Sequence, residues 1–290
     1  MHFVKAKGIL SSDNGMNLYR GCLHGCIYCD SRSRCYRMEH AFEDIEVKEN
    51  ALELLEAALK RKKMPCMIGT GAMTDPYLPI ERELKLTRGA LELIHKHGFG
   101  IAIQTKSADI LRDLDLLAAI NESAKAVVQM TLTTHDDCLC RVIEPYVSVT
   151  SERVAALKVF RDAGIPTVVW LDPILPFLND TPENITGILE SCMEAGVKGV
   201  LCFNMGLTLR EGNREYFYAQ LDRHFPGLKE QYVRAYGNRY EINSPRNTEL
   251  MALYHKICEK AGILHGIKDI FTYLHTFEQK TLAEQVSFFD

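Results

Sequence analysis

The sequence predicts an α/β protein whose parallel strands close part of a barrel. Apolar, β-rich segments alternate with segments whose apolar residues return every three or four positions, which is the pattern of successive strand–helix units. Six strands of this kind fall within residues 1–205. This number of units favours a partial (β/α)6 TIM-like barrel over a flat, doubly wound sheet, with a helical extension at the carboxyl end.

Each predicted strand is a short apolar run, and amphipathic segments lie between the runs. The strands are expected at Met16 to Arg20, Pro65 to Thr70, Gly100 to Thr105, Ala126 to Leu132, Thr167 to Leu171 and Gly199 to Phe203. The helices are expected at Ala51 to Lys62, Glu83 to His97, Ile110 to Ile120, Ser151 to Ala163 and Pro182 to Ala195. Start and stop residues support the last two helices: Ser151 begins one that Gly164 ends, while Thr181 precedes and Gly196 follows the other.

The alternation stops at about Asn204. The remaining chain is charged and aromatic, with helical patterns near Asn213 to Arg223 and Asn247 to Ala261. No low-complexity linker or short repeat separates it from the preceding units. We therefore expect residues 1–205 to form the barrel together with an N-terminal cysteine loop. Residues 206–290 are expected to pack on the barrel as a helical extension and not as an independent domain.

Composition limits the classes of function. The formal net charge is -4 and the sequence pI is about 6.2, so no overall positive field attracts nucleic acid. The N-terminal sequence lacks a secretory signal, and the longest apolar run, Thr167 to Leu178, is broken by Asp172 and two prolines. These features predict a cytoplasmic protein without membrane association, in which the ten cysteines serve as metal ligands or buried thiols.

Three cysteines form the most specific motif. Cys22, Cys26 and Cys29 are separated by three and two residues, a spacing that random placement would produce roughly 0.01 times in this chain. A structural zinc would need a fourth ligand, with His24, Cys35 and His40 as nearby candidates. Alternatively, three thiolates suit three irons of a cubane cluster and leave the fourth iron open.

The Cys-x3-Cys-x2-Cys loop, with Tyr28 as the aromatic residue before the last cysteine, resembles the radical S-adenosylmethionine (SAM) signature. The resemblance implies a [4Fe-4S] cluster on the three cysteines, with SAM as the second cofactor on the open iron. It further implies reductive cleavage of SAM to a 5′-deoxyadenosyl radical that abstracts hydrogen from a substrate. The electron would come from an external one-electron donor such as flavodoxin or ferredoxin.

Further motifs resemble the spore photoproduct lyase-like branch of this superfamily. They are Thr74 to Glu81, Thr105 to Ser107, Arg112-Asp113, Arg141 to Pro145, Asp172 to Pro176 and Asn179-Asp180. Each lies at or after the carboxyl end of a predicted strand, where parallel barrels collect their functional groups. The resemblance implies SAM contacts from Lys106, from the Thr74 region and from Thr131.

Residue chemistry adds to this set of SAM contacts. Lys106 is a point cation suited to the SAM carboxylate, and Thr70, Thr74 and Thr131 offer hydroxyl groups. Tyr28 completes the set, together with Asp75, which could bind ribose hydroxyls or serve as a turn and helix cap.

The chain departs from the branch at one position. Spore photoproduct lyases carry a hydrogen-donating cysteine just before the Thr/Ser-Asp-Pro stretch, where this sequence has Ala72 and Met73. The catalytic hydrogen donor is therefore unassigned, with Cys138 and Cys140 as weak candidates.

Two alternative functions stay open. One is nucleic-acid repair or modification, suggested by interleaved Arg and Tyr residues after Asn204 and opposed by the acidic charge. The other is a noncatalytic zinc or iron-sulfur binding module.

Overall fold

The computed structural model describes residues 1–280. Its strands are β1 (His2–Val4), β2 (Gly15–Met16), β3 (Tyr19–Arg20), β4 (Glu46–Lys48), β5 (Met67–Thr70), β6 (Gly100–Thr105), β7 (Ala126–Thr131), β8 (Thr167–Trp170), β9 (Gly199–Leu201), β10 (Gly206–Thr208) and β11 (Glu241–Asn243). Its α-helices are α1 (Ala51–Arg61), α2 (Glu81–Leu84), α3 (Leu86–Lys96), α4 (Leu114–Ser123), α5 (Asp137–Ile143), α6 (Thr150–Asp162), α7 (Pro182–Glu194), α8 (Asn213–His224), α9 (Leu228–Tyr236), α10 (Asn247–Ala261) and α11 (Ile267–His275). Short 3-10 helices cover Asp30–Arg32, Arg34–Tyr36 and Ala108–Asp113.

A six-stranded parallel sheet forms the centre of the fold. Its order is β2-β5-β6-β7-β8-β9, so spatial order follows chain order and helices cross between neighbouring strands. The predicted partial (β/α)6 barrel is confirmed. None of the helices within residues 1–280 is long and apolar enough to cross a membrane.

The first predicted strand, Met16 to Arg20, is divided between two sheets. Met16 pairs with Thr70, the last residue of β5, so the following residues have no partner in the main sheet. Tyr19 pairs instead with Val47 of β4, which also pairs with β1 in a separate three-stranded sheet. Because β5 ends at Thr70, the chain leaves the main sheet after Met16 and continues toward the cysteine loop.

Two predicted helices are not continuous α-helices. The segment from Glu83 divides into α2 and α3 at Lys85, whose φ of 52° ends the first helix. The segment from Ile110 starts as a 3-10 helix, and α4 begins only at Leu114.

Side-chain alternation gives the strands two faces. One face packs under the helices and contributes Ile68, Ile103, Val128, Val169 and Val200 to the main core. The other face points into the lumen of the open barrel. Its lower part is closed by α11, through a cluster of Met67, Ala102, Val127, Val168 and Leu201 with Ile270 and Leu274. Helix α11, which sequence periodicity missed, therefore fills one end of the barrel.

The opposite end of the barrel carries the cysteine loop. Helices α8 and α9 and the two-stranded antiparallel sheet of β10 and β11 cover this loop in a second cluster, whose members include Cys26, Ile27, Tyr28, Leu207, Phe217 and Tyr232. The C-terminal extension thus contacts both ends of the barrel. The last ten residues of the predicted 206–290 segment lie outside the described residues.

A buried ion pair fastens the cysteine loop to the barrel. Arg153 of α6 and Glu144, just after α5, are both essentially inaccessible to solvent, and Arg153 Nη2 lies 2.5 Å from Glu144 Oε2. The Tyr28 hydroxyl donates to the same carboxylate. Arg153 also donates to the carbonyls of Thr131, at 2.9 Å, and Ser148, at 2.7 Å. Burial raises the pKa of Glu144, but the charges of Arg153 and Lys106 outweigh it and leave the pKa below its usual range.

Removing the cation from this pair should be strongly destabilising. The variant Arg153→Met leaves the Glu144 carboxylate buried without its partner, so we expect the free energy of unfolding to fall by about 3–5 kcal/mol. Arg161→Met, on the same helix but with its side chain 43% exposed, should lose less than about 1 kcal/mol. Urea unfolding followed by circular dichroism measures both, and equal losses in the two variants would contradict the role assigned to the pair.

Candidate functional site

The cysteine loop is held by backbone hydrogen bonds to two neighbouring segments. Ile27 N donates to Ile143 O at 3.0 Å, and Tyr146 N donates to His24 O at 3.2 Å. Gly25 between them has a φ of 69°, and a Cβ atom there would lie 2.8 Å from the Tyr146 ring. Glycine is therefore required by both backbone conformation and packing.

The three thiols suit an iron-sulfur cubane, in which each thiolate binds a different iron. The charges of Cys22, Cys26 and Cys29 act on one another, so the three thiols lie close together. A single structural zinc would need a fourth protein ligand beside them. Burial raises the pKa of Cys22 to about 12, so cluster binding must displace its proton.

The candidate fourth zinc ligands are engaged elsewhere. His24 Nδ1 lies 3.4 Å from Asp75 Oδ2, and Cys35 Sγ contacts Arg210 Nη1 at 3.2 Å. His40 groups with His2 and Asp44. None of these three residues completes a zinc site with the cysteines.

A cavity of about 450 Å³ opens beside the loop, at the carboxyl ends of the strands. It is lined by Tyr28, Cys29, Asp30, Ser31, Tyr36, Ala72, Met73, Gln104, Lys106, Thr131, Trp170, Asp172, Pro173, Phe203, Asn204, Leu207, Thr208 and Glu241. Side chains two residues apart in an extended segment point to the same face, which explains why the cavity-lining residues at the strand ends come in pairs. Gln104 and Lys106 form one such pair, and Trp170 and Asp172 form another. The larger cavity of about 720 Å³ lies at the amino ends of the strands, away from the thiols.

Three of the six predicted cofactor contacts line this cavity, and the other three do not. Tyr28, Lys106 and Thr131 line the cavity. Thr74 lines an adjoining cavity of about 190 Å³, which shares Ser31, Tyr36 and Met73 with the first. Thr70 is buried on the same strand face as Ile68, directed toward the helices.

Asp75 holds backbone and side-chain groups within the protein. Its carboxylate accepts hydrogen bonds from Tyr77 N at 2.8 Å, Thr105 Oγ1 at 2.7 Å and Lys106 N at 2.8 Å. These contacts fix the turn after β6 and so position Lys106. A ribose contact from Asp75 stays a prediction.

Lys106 brings a partly buried cation to the cavity. Burial lowers its pKa, but the charges of Cys26 and Glu144 outweigh burial and leave the pKa raised. Its Nζ lies 6.0 Å from the centroid of the Tyr28 ring. The cation therefore stays charged and faces the space beside the cysteines.

Asp172 is a second titratable group in the cavity wall; the sequence placed it in a strand-end motif but not among the expected cofactor contacts. Burial raises its pKa to about 7, although Lys106 acts in the other direction. Trp170 and Phe203 line the same wall, with ring centroids 6.0 Å apart. Side chains alternate between the two faces along a strand. Extending this alternation two residues past the end of each strand could have identified these residues.

Neither weak hydrogen-donor candidate reaches the cavity. Cys138 is exposed, while Cys140 is buried with its Sγ 3.4 Å from Glu144 Oε2. Burial raises the pKa of Cys140 to about 11. By contrast, Ala72 and Met73 line the cavity, so the departure from the lyase motif lies within the site.

Several C-terminal Arg and Tyr residues are used for internal contacts. Arg214 Nη2 donates to the carbonyls of Leu209, Asn238 and Arg239. Arg246 pairs with Glu249 at 2.7 Å. Tyr236 donates to Asn243 O at 2.8 Å. These groups stabilise the cover of the cysteine loop.

The chain has relatives of similar sequence and known proteins of similar fold. An uncharacterised protein of Mycobacterium tuberculosis is 31% identical over 232 residues, covering 76% of this chain and 66% of that protein. An uncharacterised protein of Methanocaldococcus jannaschii is 34% identical over 174 residues, covering 59% and 64%. The chain thus spans just under two thirds of the length of either relative.

Two solved structures extend the comparison. A spore photoproduct lyase variant superimposes with a TM-score of 0.65 at 16% identity, over 90% of this chain and 79% of that chain. A radical SAM methyltransferase from Kitasatospora setae, with cobalamin and a [4Fe-4S] cluster bound, gives 0.55 at 14% identity, over 82% and 52%. At such identities the likeness establishes a shared fold.

The family follows from the sequence match. Residues 16–192, which contain the cysteine loop and helices and strands up to α7, match the family model of the radical SAM superfamily. The match covers more than half of the chain. This chain therefore belongs to the radical SAM superfamily of enzymes.

Proposed function

We propose that the chain binds a [4Fe-4S] cluster through Cys22, Cys26 and Cys29 and takes SAM into the adjoining cavity. The observation that carries this proposal is the cavity itself, which has Cys29 at one edge and the partly buried Lys106 cation in its wall. The bound cluster would supply the electron that cleaves SAM into methionine and a 5′-deoxyadenosyl radical.

The protein groups have separate roles in this proposal. Lys106 pairs with the SAM carboxylate, and the Thr131 hydroxyl hydrogen-bonds to the same polar end. Tyr28 forms the wall beside the last cysteine, fixed by its hydrogen bond to Glu144. The sheet of β10 and β11, whose Leu207, Thr208 and Glu241 line the cavity, excludes water from the reacting groups.

The electron reaches the cluster from outside the chain. Radical SAM enzymes need a reductant, and we propose a flavodoxin- or ferredoxin-type protein as the one-electron donor.

The far wall of the cavity indicates the kind of substrate. Trp170 and Phe203 offer aromatic surfaces, while Asp172 and Glu241 offer acidic groups. Such a wall suits a substrate that is uncharged or cationic and carries hydrogen-bond donors. It disfavours a polyanion, so the nucleic-acid alternative has little support from this site.

The cluster assignment predicts a stoichiometry. Anaerobically reconstituted protein should contain about four irons and four sulfides per chain, because three thiolates suffice for a cubane. The triple variant Cys22→Ala, Cys26→Ala, Cys29→Ala should lose both, whereas Cys138→Ala, which removes an exposed thiol elsewhere, should keep them. Chemical analysis of iron and sulfide with visible absorption measures this. Iron that survives the triple substitution would contradict the assignment.

Loss of the Lys106 cation should weaken SAM binding. We expect Lys106→Met to raise the Kd of the reconstituted enzyme for SAM about 30-fold, since removing a buried charge partner costs about 2 kcal/mol or more. Lys63→Met, at an exposed position before β5, should bind SAM like the wild type. Equilibrium dialysis under anaerobic conditions measures both values. Equal affinity in the two variants would exclude the proposed carboxylate contact.

The pKa of about 7 at Asp172 predicts a pH-dependent contribution to SAM affinity. Below that pH the carboxyl group is neutral, and above it a carboxylate faces the net positive SAM molecule. We expect the ratio of wild-type to Asp172→Asn affinity for SAM to rise about 3- to 10-fold between pH 6 and pH 8, from an interaction of about 1 kcal/mol. A ratio that stays constant over this range would place Asp172 outside the electrostatic reach of SAM.

A further inference from the structure

A second group of metal-ligating side chains lies away from the three cysteines. His2, His40 and Asp44 each offer one ligand atom, and these three atoms lie within 4.8 Å of one another. His2 belongs to β1, and the other two belong to the loop that precedes β4. All three side chains are partly buried, with His40 only 20% exposed.

The hydrogen bonding of His40 leaves one nitrogen without a partner. Its Nδ1 lies 3.0 Å from Ala41 O, and because a carbonyl can only accept, Nδ1 carries the proton. The Nε2 atom is buried and has no hydrogen-bond partner among the described residues. A backbone carbonyl on one ring nitrogen and a free lone pair on the other is the arrangement that metal-binding histidines adopt.

The surrounding atoms are spaced like metal ligands. His2 Nδ1 lies 3.0 Å from Asp44 Oδ2, and the three ligand atoms all lie within 4.8 Å of one another. Ligands of a tetrahedral zinc with bonds of about 2.0 Å are about 3.3 Å apart, which falls within this range. The Met1 amino group contacts Asp44 Oδ1 at 2.8 Å, which leaves Oδ2 to face the two imidazoles.

We propose that His2, His40 and Asp44 bind a divalent transition metal of the zinc class. Two imidazoles and one carboxylate are a donor set that suits zinc, whereas magnesium and calcium prefer oxygen ligands alone. None of these ligands is one of the three cluster cysteines, so the proposed metal site does not depend on the proposed SAM chemistry.

The metal would fix the segment that supports the first cluster cysteine. Phe42 lies between two of the ligands in the chain, and its carbonyl accepts the hydrogen bond of Cys22 N at 3.1 Å. Glu43 pairs with Arg32 at 2.5 Å, and the Arg32 guanidinium stacks 4.3 Å above the Phe42 ring. Tying residues 40–46 to β1 therefore stabilises one side of the cysteine loop.

The test uses zinc alone, added to the full chain with its cluster in place so that the three cysteines are occupied. Weakly bound metal is first removed with a chelator. We then expect the chain to bind one zinc in addition to the irons of the cluster, with a Kd below about 10 µM. Competition with a chromophoric chelator gives the affinity, and iron content in the same sample reports separately on the cluster. Absence of zinc binding at this affinity overturns the proposal.

Substitutions and spectroscopy locate the bound ion. His2→Ala and His40→Ala should each weaken zinc binding more than about 100-fold, while His95→Ala, which replaces an exposed histidine on α3, should have no effect. Zinc-edge X-ray absorption should give only nitrogen and oxygen neighbours near about 2.0 Å. A sulfur shell, or affinity unchanged in both His2→Ala and His40→Ala, overturns the site.

Discussion

The buried contact between Glu144 and Arg153 connects the chemistry of this protein to its scaffold. A carboxylate and a guanidinium without solvent access are costly to bury, and the cost is offset only when every remaining donor and acceptor is satisfied. Here Arg153 reaches two carbonyls and Glu144 accepts from the Tyr28 hydroxyl. The pair therefore requires the end of β7, the start of α6 and the cysteine loop to occupy fixed relative positions.

This constraint places the loop where parallel strands present their functional groups. Lys106 and Asp172 follow the ends of two strands of the same sheet, and both line the cavity beside Cys29. The open barrel then needs apolar cover at both ends, because six strands do not close the lumen by themselves. Helix α11 covers the lower end and the segment from β10 to β11 covers the upper one.

Several acidic residues near strand ends maintain the site without facing the cavity. Asp75 fixes the turn that carries Lys106. Glu81 accepts hydrogen bonds from Thr87 N at 2.9 Å and Arg112 at 2.7 Å, and from the Tyr19 hydroxyl. A motif can therefore support a site by holding the nearby backbone in place, without contacting the ligand. Residue type alone does not distinguish this structural role from ligand binding.

The architecture and the cysteine loop could be predicted from local sequence patterns. Strand and helix periodicity are local properties, so five of the six main strands could be found from apolar runs, and the spacing of Cys22, Cys26 and Cys29 can be read directly from the chain. Which polar groups meet depends on the tertiary structure. Thr70 and Thr131 are chemically alike at two strand ends, yet opposite strand faces direct one toward the helices and the other into the cavity. Likewise, the meeting of His2 with His40 depends on pairing between β1 and β4, a long-range contact that no local pattern encodes.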